Sequence, residues 1–171
     1  MAKDNPKVGI LMGSDSDLEV MREAEKRLES FGIAYETRIM SAHRTPEKAA
    51  QYAATAAERG LQAIICGAGA AAHLAGAIAA NTTLPVIGIP IDSSSLKGLD
   101  ALLATVQMPA GIPVATMAIG KAGAANAGIF AAQIVARADP QVSAKLAAFK
   151  KEMAAGVEER DRKLQSERAK S

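Results

Sequence analysis

The sequence has few aromatic residues, no tryptophan and one cysteine. Three Phe and two Tyr are its only aromatic side chains in 171 residues. Proteins that bind single-stranded nucleic acids commonly stack the bases on aromatic rings, so this scarcity argues against that class of partner. One cysteine, Cys66, cannot form an internal disulfide or a cysteine-rich zinc site, which is typical of proteins from a reducing compartment. We therefore expect a cytoplasmic protein with no metal site built from cysteines.

Charge and hydropathy also argue against several classes of protein. The net charge is only +2, and residues 150–171, with seven basic and five acidic side chains, account for all of it. A neutral body offers no basic face for nucleic acid. No apolar run reaches the ~18 residues of a membrane span, and the first residues lack the pattern of a secretory signal. We expect a soluble protein that binds neither nucleic acid nor membranes.

Length and alanine content bear on domain organisation and assembly. A chain of 171 residues is long enough for one domain with a continuous core, so we assign residues 1–171 to a single domain. Within it, the core covers about residues 7–140 and a C-terminal helix about 141–168. The 38 alanines allow helices and subunits to approach closely, which weakly favours a homo-oligomer.

Short apolar runs alternate with segments of helical periodicity. The predicted strands cover 7–12, 33–40, 61–66, 84–91 and 112–119, and the predicted helices cover 16–31, a segment from Thr45, then 70–81, 96–106 and 122–138. Strands that are apolar throughout and separated by helices indicate a parallel sheet covered on both faces. The predicted fold is a three-layer α/β/α sandwich with a doubly wound, flavodoxin-like sheet of strand order 2-1-3-4-5, followed by the C-terminal helix.

Three loops of this fold concentrate the polar side chains. They follow the first three strands and contain Gly13 to Asp17, Ser41 to Pro46, and Gly67 to His73. In the order 2-1-3 they are neighbours at the carboxyl edge of the sheet, where helix N-termini present free N–H groups. Because both histidines lie there, we predict an anion site with a proton carrier beside it.

Structural roles compete with functional ones at several of these residues. Ser14 and the adjacent aspartates could equally form a helix cap. Thr45 and Pro46 are assigned to a cap alone. His73 lies in an alanine-rich segment and could be a hydrogen-bonded residue on a helix face, whereas Cys66 ends a buried strand and is expected to be inert. Residues 67–72 match a dinucleotide fingerprint only weakly, since they follow the third strand instead of the first.

Taken together, five segments resemble a known family. GSxSD (13–17), SAHRTP (41–46), GAGAAAHLAG (67–76), LPVIGIP (84–90) and residues 106–127 are similar to the N5-carboxyaminoimidazole ribonucleotide mutases of bacterial purine biosynthesis. The resemblance implies a cytoplasmic homo-octamer that moves a carboxyl group, through CO2, from an exocyclic nitrogen to ring carbon 4 of an aminoimidazole ribonucleotide. It implies no metal, ATP, biotin or other cofactor.

The resemblance also assigns roles to individual residues. His43 would be the general acid and base. Ser14, Ser41 and Arg44 would hold the 5′-phosphate, and Asp17 would bind the ribose hydroxyls. The pocket for the migrating carboxyl group would be lined by the backbone and small residues at 67–72, among them Gly69 and Ala70, together with His73 and Leu74.

The chain departs from the family pattern at four positions. The family generally has Gly at Ala70 and Pro at Ala75, and an added methyl group at position 70 could narrow the carboxyl pocket. Asp15 replaces an uncharged or basic residue, so we expect its carboxylate to point to solvent, away from a phosphate. Leu18 replaces a frequent Trp. None of the four removes a residue with an assigned catalytic role.

Two other functions compete with the mutase. One is a nucleotide- or flavin-binding module without turnover, which the anion-binding loops alone would support. The other is an aminoimidazole ribonucleotide carboxylase that uses free CO2. The SAHRTP motif together with GAGAAAHLAG favours the mutase.

Overall fold

The computed structural model describes residues 5–169 and contains a five-stranded parallel sheet. The strands are β1 (Val8–Met12), β2 (Tyr35–Ile39), β3 (Ala63–Gly69), β4 (Val86–Ile91) and β5 (Ala115–Thr116). Their order is β2-β1-β3-β4-β5, and every pair is parallel. Every residue of β1 and β4 is buried because helices cover both faces of the sheet, as continuous apolar strands require. The predicted fold class and strand order are therefore confirmed.

Within residues 5–169, six α-helices connect and cover these strands. They are α1 (Leu18–Phe31), α2 (Pro46–Ala56), α3 (Leu74–Ala79), α4 (Leu99–Val106), α5 (Lys121–Val135) and α6 (Pro140–Arg168). The helices α1 and α5 pack on one face of the sheet, and α2, α3 and α4 on the other. The two sides of each strand thus face different helical layers. No helix within residues 5–169 is long and apolar enough to cross a membrane.

The close packing of α1 against α5 depends on small residues. A Cβ atom at Gly128 would lie 2.7 Å from the carbonyl oxygen of Ala24 and 2.8 Å from the Cβ of Arg27. Contacts this short are unfavourable for any side chain, so glycine allows the two backbones to approach. At this contact, small residues thus allow close packing of two helices within the chain.

The C-terminal helix packs on the domain with only its first half. Asp139 caps α6 by accepting hydrogen bonds from the backbone N–H groups of Gln141 and Val142. Val142 is buried, and the ring of Phe149 lies edge-on to that of Phe31 with centroids 5.6 Å apart. From Lys150 to Ala169 almost every residue is exposed. The second half of α6 thus extends away from the rest of the fold.

The element boundaries differ most from the sequence prediction at three places. The third strand extends to Gly69, and α3 begins at Leu74 instead of Ala70, because Ala70 has a left-handed backbone with φ of 49° that no helix can include. The helix predicted from residue 96 begins at Leu99. The fifth strand is limited to Ala115 and Thr116 instead of 112–119, because only these two residues pair with β4.

Candidate active site

A cleft opens where the first four strands end. Its volume is about 220 Å3, and it follows the carboxyl edge of the sheet from β2 to β4, where the strand order reverses. Fourteen residues line it: Gly13, Ser14, Ser16, Asp17, Ser41, Ala42, His43, Arg44, Ala68, Gly69, Ala71, His73, Leu74 and Ser93. Eight of the nine residues predicted from sequence are among them. The ninth, Ala70, is exposed and lies outside the lining.

The loop after β1 forms a single 3-10 turn from Asp15 to Asp17. Ser14 caps this turn, its Oγ accepting a hydrogen bond of 3.3 Å from the N–H of Ser16. The capping role considered from sequence is therefore present, and the same side chain also lines the cleft. Asp15 is exposed, but its carboxylate accepts a hydrogen bond of 3.1 Å from the Oγ of Ser14, so it contacts a residue assigned to the phosphate instead of pointing only to solvent.

Asp17 is the buried acid of this loop. Only 6% of the residue is exposed, although it lines the cleft. Burial raises the pKa of its carboxyl group above the ordinary value; the charge of Asp15 adds to this, whereas hydrogen bonds from Ser16 and Ser14 oppose it. A carboxylate that is desolvated and has few donors gains from a new hydrogen-bond donor, and the hydroxyl groups of a sugar would provide two.

The loop after β2 is organised around the hydroxyl group of Ser41. Its Oγ accepts hydrogen bonds from the backbone N–H groups of His43 (3.3 Å) and Arg44 (3.1 Å). Thr45 closes the turn, because its Oγ1 accepts a hydrogen bond from the N–H of Ser41 at 2.9 Å. The Arg44 guanidinium reaches across to the loop after β1 and donates to the carbonyl oxygen of Gly13 at 3.3 Å. These bonds hold the backbone of the cation-bearing loop in place before any ligand binds.

The two histidines of the chain are in direct contact. Nε2 of His43 and Nδ1 of His73 are 2.8 Å apart, a hydrogen-bond distance, and the two rings are edge-on with centroids 4.9 Å apart. One proton lies between the two nitrogens, so the tautomer of one ring fixes that of the other. His73 is therefore a partner of His43 in the cleft. Both side chains are exposed to the cleft's solvent.

The loop after β3 forms an apolar part of the cleft. Leu74 is buried, and Gly69 lies directly beneath the side chain of Ser93, which follows β4. A Cβ atom at Gly69 would collide with the hydroxyl group of Ser93, so the close approach of these loops depends on glycine at that position. Cys66 is buried earlier in the same strand, and burial raises the pKa of its thiol, which favours the protonated form.

Six lining residues were given no individual role from the sequence, and among them Ser93 comes from outside the three predicted loops. The others are Gly13, Ser16 and Ala42, which lie within those loops, and Ala68 and Ala71, which belong to the small residues at 67–72 predicted to line the carboxyl pocket. The rule that selected the first three loops, that ligands bind at the carboxyl ends of strands, applies equally to the loop after β4. Extending it by one strand would have found Ser93.

The charges of the cleft suit an anionic ligand with polar groups along its length. Arg44 supplies a positive charge at the β2 end, close to two serine hydroxyls, while Asp17 supplies an acceptor farther along. Within the described part of the chain, no three His, Cys, Asp or Glu side chains cluster closely enough to hold a metal ion.

Sequence comparisons relate this chain to a known protein family. Residues 7–156 match the sequence model of the AIR carboxylase family. A protein of Vibrio parahaemolyticus is 58% identical over 146 residues, which cover 85% of this chain and 91% of the relative. A Pyrococcus horikoshii protein is 54% identical over 165 residues, covering 96% and 92% of the two chains. Both relatives are named N5-carboxyaminoimidazole ribonucleotide mutase.

The fold has a close counterpart among solved structures. The crystal structure of Treponema denticola PurE superposes with a TM-score of 0.83 at 31% sequence identity, covering 93% of this chain and 98% of that one. The resemblance that the motifs indicated thus extends over nearly the whole chain.

Proposed function

Because the chain belongs to the AIR carboxylase family, we propose that it is an isomerase of purine biosynthesis, an N5-carboxyaminoimidazole ribonucleotide mutase. It converts N5-carboxyaminoimidazole ribonucleotide to 4-carboxy-5-aminoimidazole ribonucleotide. The observation that carries the proposal is the His43–His73 hydrogen bond of 2.8 Å inside a cleft lined by an arginine, several serines and a buried aspartate. Relatives with this name are 53–58% identical to the chain.

The proposed binding mode follows the charges of the cleft. The 5′-phosphate lies at the β2 end, where it receives hydrogen bonds from Arg44, Ser14 and Ser41. The ribose hydroxyls donate to the carboxylate of Asp17, whose pKa is raised by burial and whose ionised form gains from further donors. The aminoimidazole ring then lies beside His43 and His73, with the carboxyl group toward Gly69 and Leu74. Ala70 lies outside the cleft lining, and its part in the proposed carboxyl pocket is its left-handed backbone, which turns the chain between β3 and α3.

The proposed reaction needs a single proton carrier. The C–N bond of the carbamate breaks, the electron pair stays on nitrogen, and protonated His43 delivers a proton to that nitrogen as CO2 forms. Ring carbon 4 then attacks CO2, a new C–C bond forms, and His43 takes the proton that carbon 4 loses. The histidine ends in its initial state, so the conversion needs no other acid, base or cofactor. Holding CO2 beside the ring makes its recapture effectively intramolecular.

A spectrophotometric assay tests this function. Purified protein is given N5-carboxyaminoimidazole ribonucleotide, and formation of the 4-carboxy product is followed by ultraviolet absorbance. A parallel reaction uses aminoimidazole ribonucleotide with bicarbonate. A mutase is active in the first reaction only, a carboxylase that uses free CO2 is active in the second, and a nucleotide-binding module is active in neither.

Replacement of His43 tests the mechanism. His43→Asn keeps approximate size and polarity but removes the imidazole that would carry the proton, so turnover should fall by about 10²–10⁴-fold while the substrate still binds. His73→Asn should be milder, because it removes only the partner of the acid and base. Near-normal turnover in His43→Asn, or a larger loss in His73→Asn at equal stability, would assign the proton transfers to another group.

We further propose that the protein is a cytoplasmic homo-octamer. Four apolar side chains spaced three and four residues apart form an exposed stripe at α4, namely Leu96, Leu99, Leu103 and Val106, each 49–60% exposed. The second half of α6 exposes the apolar side chains of Met153, Val157 and Leu164. Apolar stripes of this kind on two elements support burial against further subunits. Sedimentation equilibrium should give about eight times the chain mass of 17.6 kDa; a fully active monomer would refute the assembly.

A further inference from the structure

The loop after β4 contains three consecutive serines that differ in environment. The Oγ of Ser94 donates to the carboxylate of Asp100 at 2.7 Å and accepts from the N–H of Leu96 at 3.1 Å, so it fixes the loop to the start of α4. Ser95 is exposed and lies outside the cleft lining. Ser93 lines the cleft, and within residues 5–169 its hydroxyl has no hydrogen-bond partner. Ser94 thus anchors the loop, while the hydroxyl of the adjacent Ser93 faces the cleft without a hydrogen-bond partner among the described residues.

Close packing brings Ser93 to the cleft as well. It lies over Gly69, at a place where a Cβ atom would collide with the hydroxyl group. The glycine below and the anchored Ser94 beside it therefore place Ser93 in the cleft wall.

Ser93 lies at the opposite end of the cleft from the arginine. The Arg44 guanidinium reaches the loop after β1, and Ser93 follows β4, so the sheet order β2-β1-β3-β4 places the two about two strand spacings apart. At ~4.8 Å per spacing this is ~10 Å, which leaves room for the sugar of a ribonucleotide between its phosphate and its base. A ligand whose phosphate lies beside Arg44 therefore directs its base toward Ser93.

We propose that Ser93 is a substrate-binding residue whose hydroxyl donates a hydrogen bond to the carboxylate that migrates; this inference rests on the proposed function. The neighbouring side chains at that end, Ala68, Ala71 and Leu74, have no polar atoms. A neutral hydroxyl also suits a carboxylate that must pass through uncharged CO2. A cation would stabilise the carboxylate more than the CO2 and so oppose its loss.

Ligand binding tests this assignment without turnover. Calorimetry compares two ribonucleotides, 4-carboxy-5-aminoimidazole ribonucleotide and 5-aminoimidazole ribonucleotide, which differ by the carboxyl group. Ser93→Ala should weaken binding of the carboxylated ligand roughly 10- to 100-fold, since a hydrogen bond to a charged group is lost, and should leave the other ligand unchanged. Ser95→Ala, in the same loop, is the matched control and should affect neither.

Each result decides the inference. Loss confined to the carboxylated ligand in Ser93→Ala supports it. Equal loss for both ligands would show that Ser93 merely shapes the loop, and no loss for either would remove it from the site. If the unmodified protein binds neither ribonucleotide, the proposed function itself fails, which is a different outcome from a failure confined to the Ser93 variant.

Discussion

Ala70 offers a quantitative test of backbone strain beside the cleft. It is one of two non-glycine residues with a positive φ among residues 5–169, at 49°, and its side chain is exposed. A left-handed conformation costs a non-glycine residue roughly 1–2 kcal/mol. Ala70→Gly removes this strain but makes the unfolded chain more flexible, at a cost of about 0.4–1 kcal/mol. We therefore expect a net stabilisation of about 0.5–1 kcal/mol.

Thermal unfolding measured by circular dichroism checks this value. For a chain of this length, the expected gain corresponds to a rise in Tm of about 1–4 °C. Ala71→Gly is the control, because position 71 has no positive φ and pays only the entropic cost, so its Tm should fall. The two variants must be compared at one protein concentration, since assembly shifts Tm. If Ala70→Gly lowers Tm as much as Ala71→Gly, the strain is absent and the reasoning is wrong.

Two further predictions concern charged groups. Arg44→Ala should weaken substrate binding by about 1.5–3 kcal/mol in calorimetry, and Arg44→Lys by clearly less, because Lys keeps the charge at the phosphate end; equal effects would place the phosphate elsewhere. Burial acts to raise the pKa of Glu36, but hydrogen bonds from Arg59 and Tyr52 outweigh it and hold the pKa below the ordinary 4.5. The ionised form therefore stabilises the fold above pH 4.5, and this contribution is lost as the pH falls further. Glu36→Gln should lower the free energy of unfolding by about 1–2 kcal/mol at pH 7, a figure reduced because the Glu36 side chain is partly exposed. The difference between the two proteins should shrink below pH 4.5. Denaturant titrations that give the same difference at every pH would contradict this.

Element boundaries were less predictable than the fold because they depend on non-local contacts. Residues 70–73 have the composition of a helix, and alanine has the highest intrinsic helix propensity. In the structure β3 continues to Gly69, and the left-handed turn at Ala70 delays α3 to Leu74. Likewise, residues 112–119 have the pattern of a long apolar strand, yet only Ala115 and Thr116 pair with β4. Pairing partners and turn geometry, which local propensity does not contain, set these limits.

The fold class, the strand order and the edge of the sheet that holds the site could all be predicted from the order of residues along the chain. Apolar runs separated by helical segments dictate a parallel sheet, and in such a sheet the loops after the strands must meet at one edge. This is why residues as distant along the chain as Ser14 and His73 could be assigned to one cleft from the sequence pattern.

The contacts between these side chains, in contrast, could be seen only in the folded chain. The hydrogen bond between His43 and His73, the burial of Asp17 and the placement of Ser93 over Gly69 depend on distances of a few ångström between separate loops. Sequence spacing sets which edge of the sheet a residue occupies. The loop conformations and packing that set those distances arise only when the first four strands, whose ends form the cleft, are assembled.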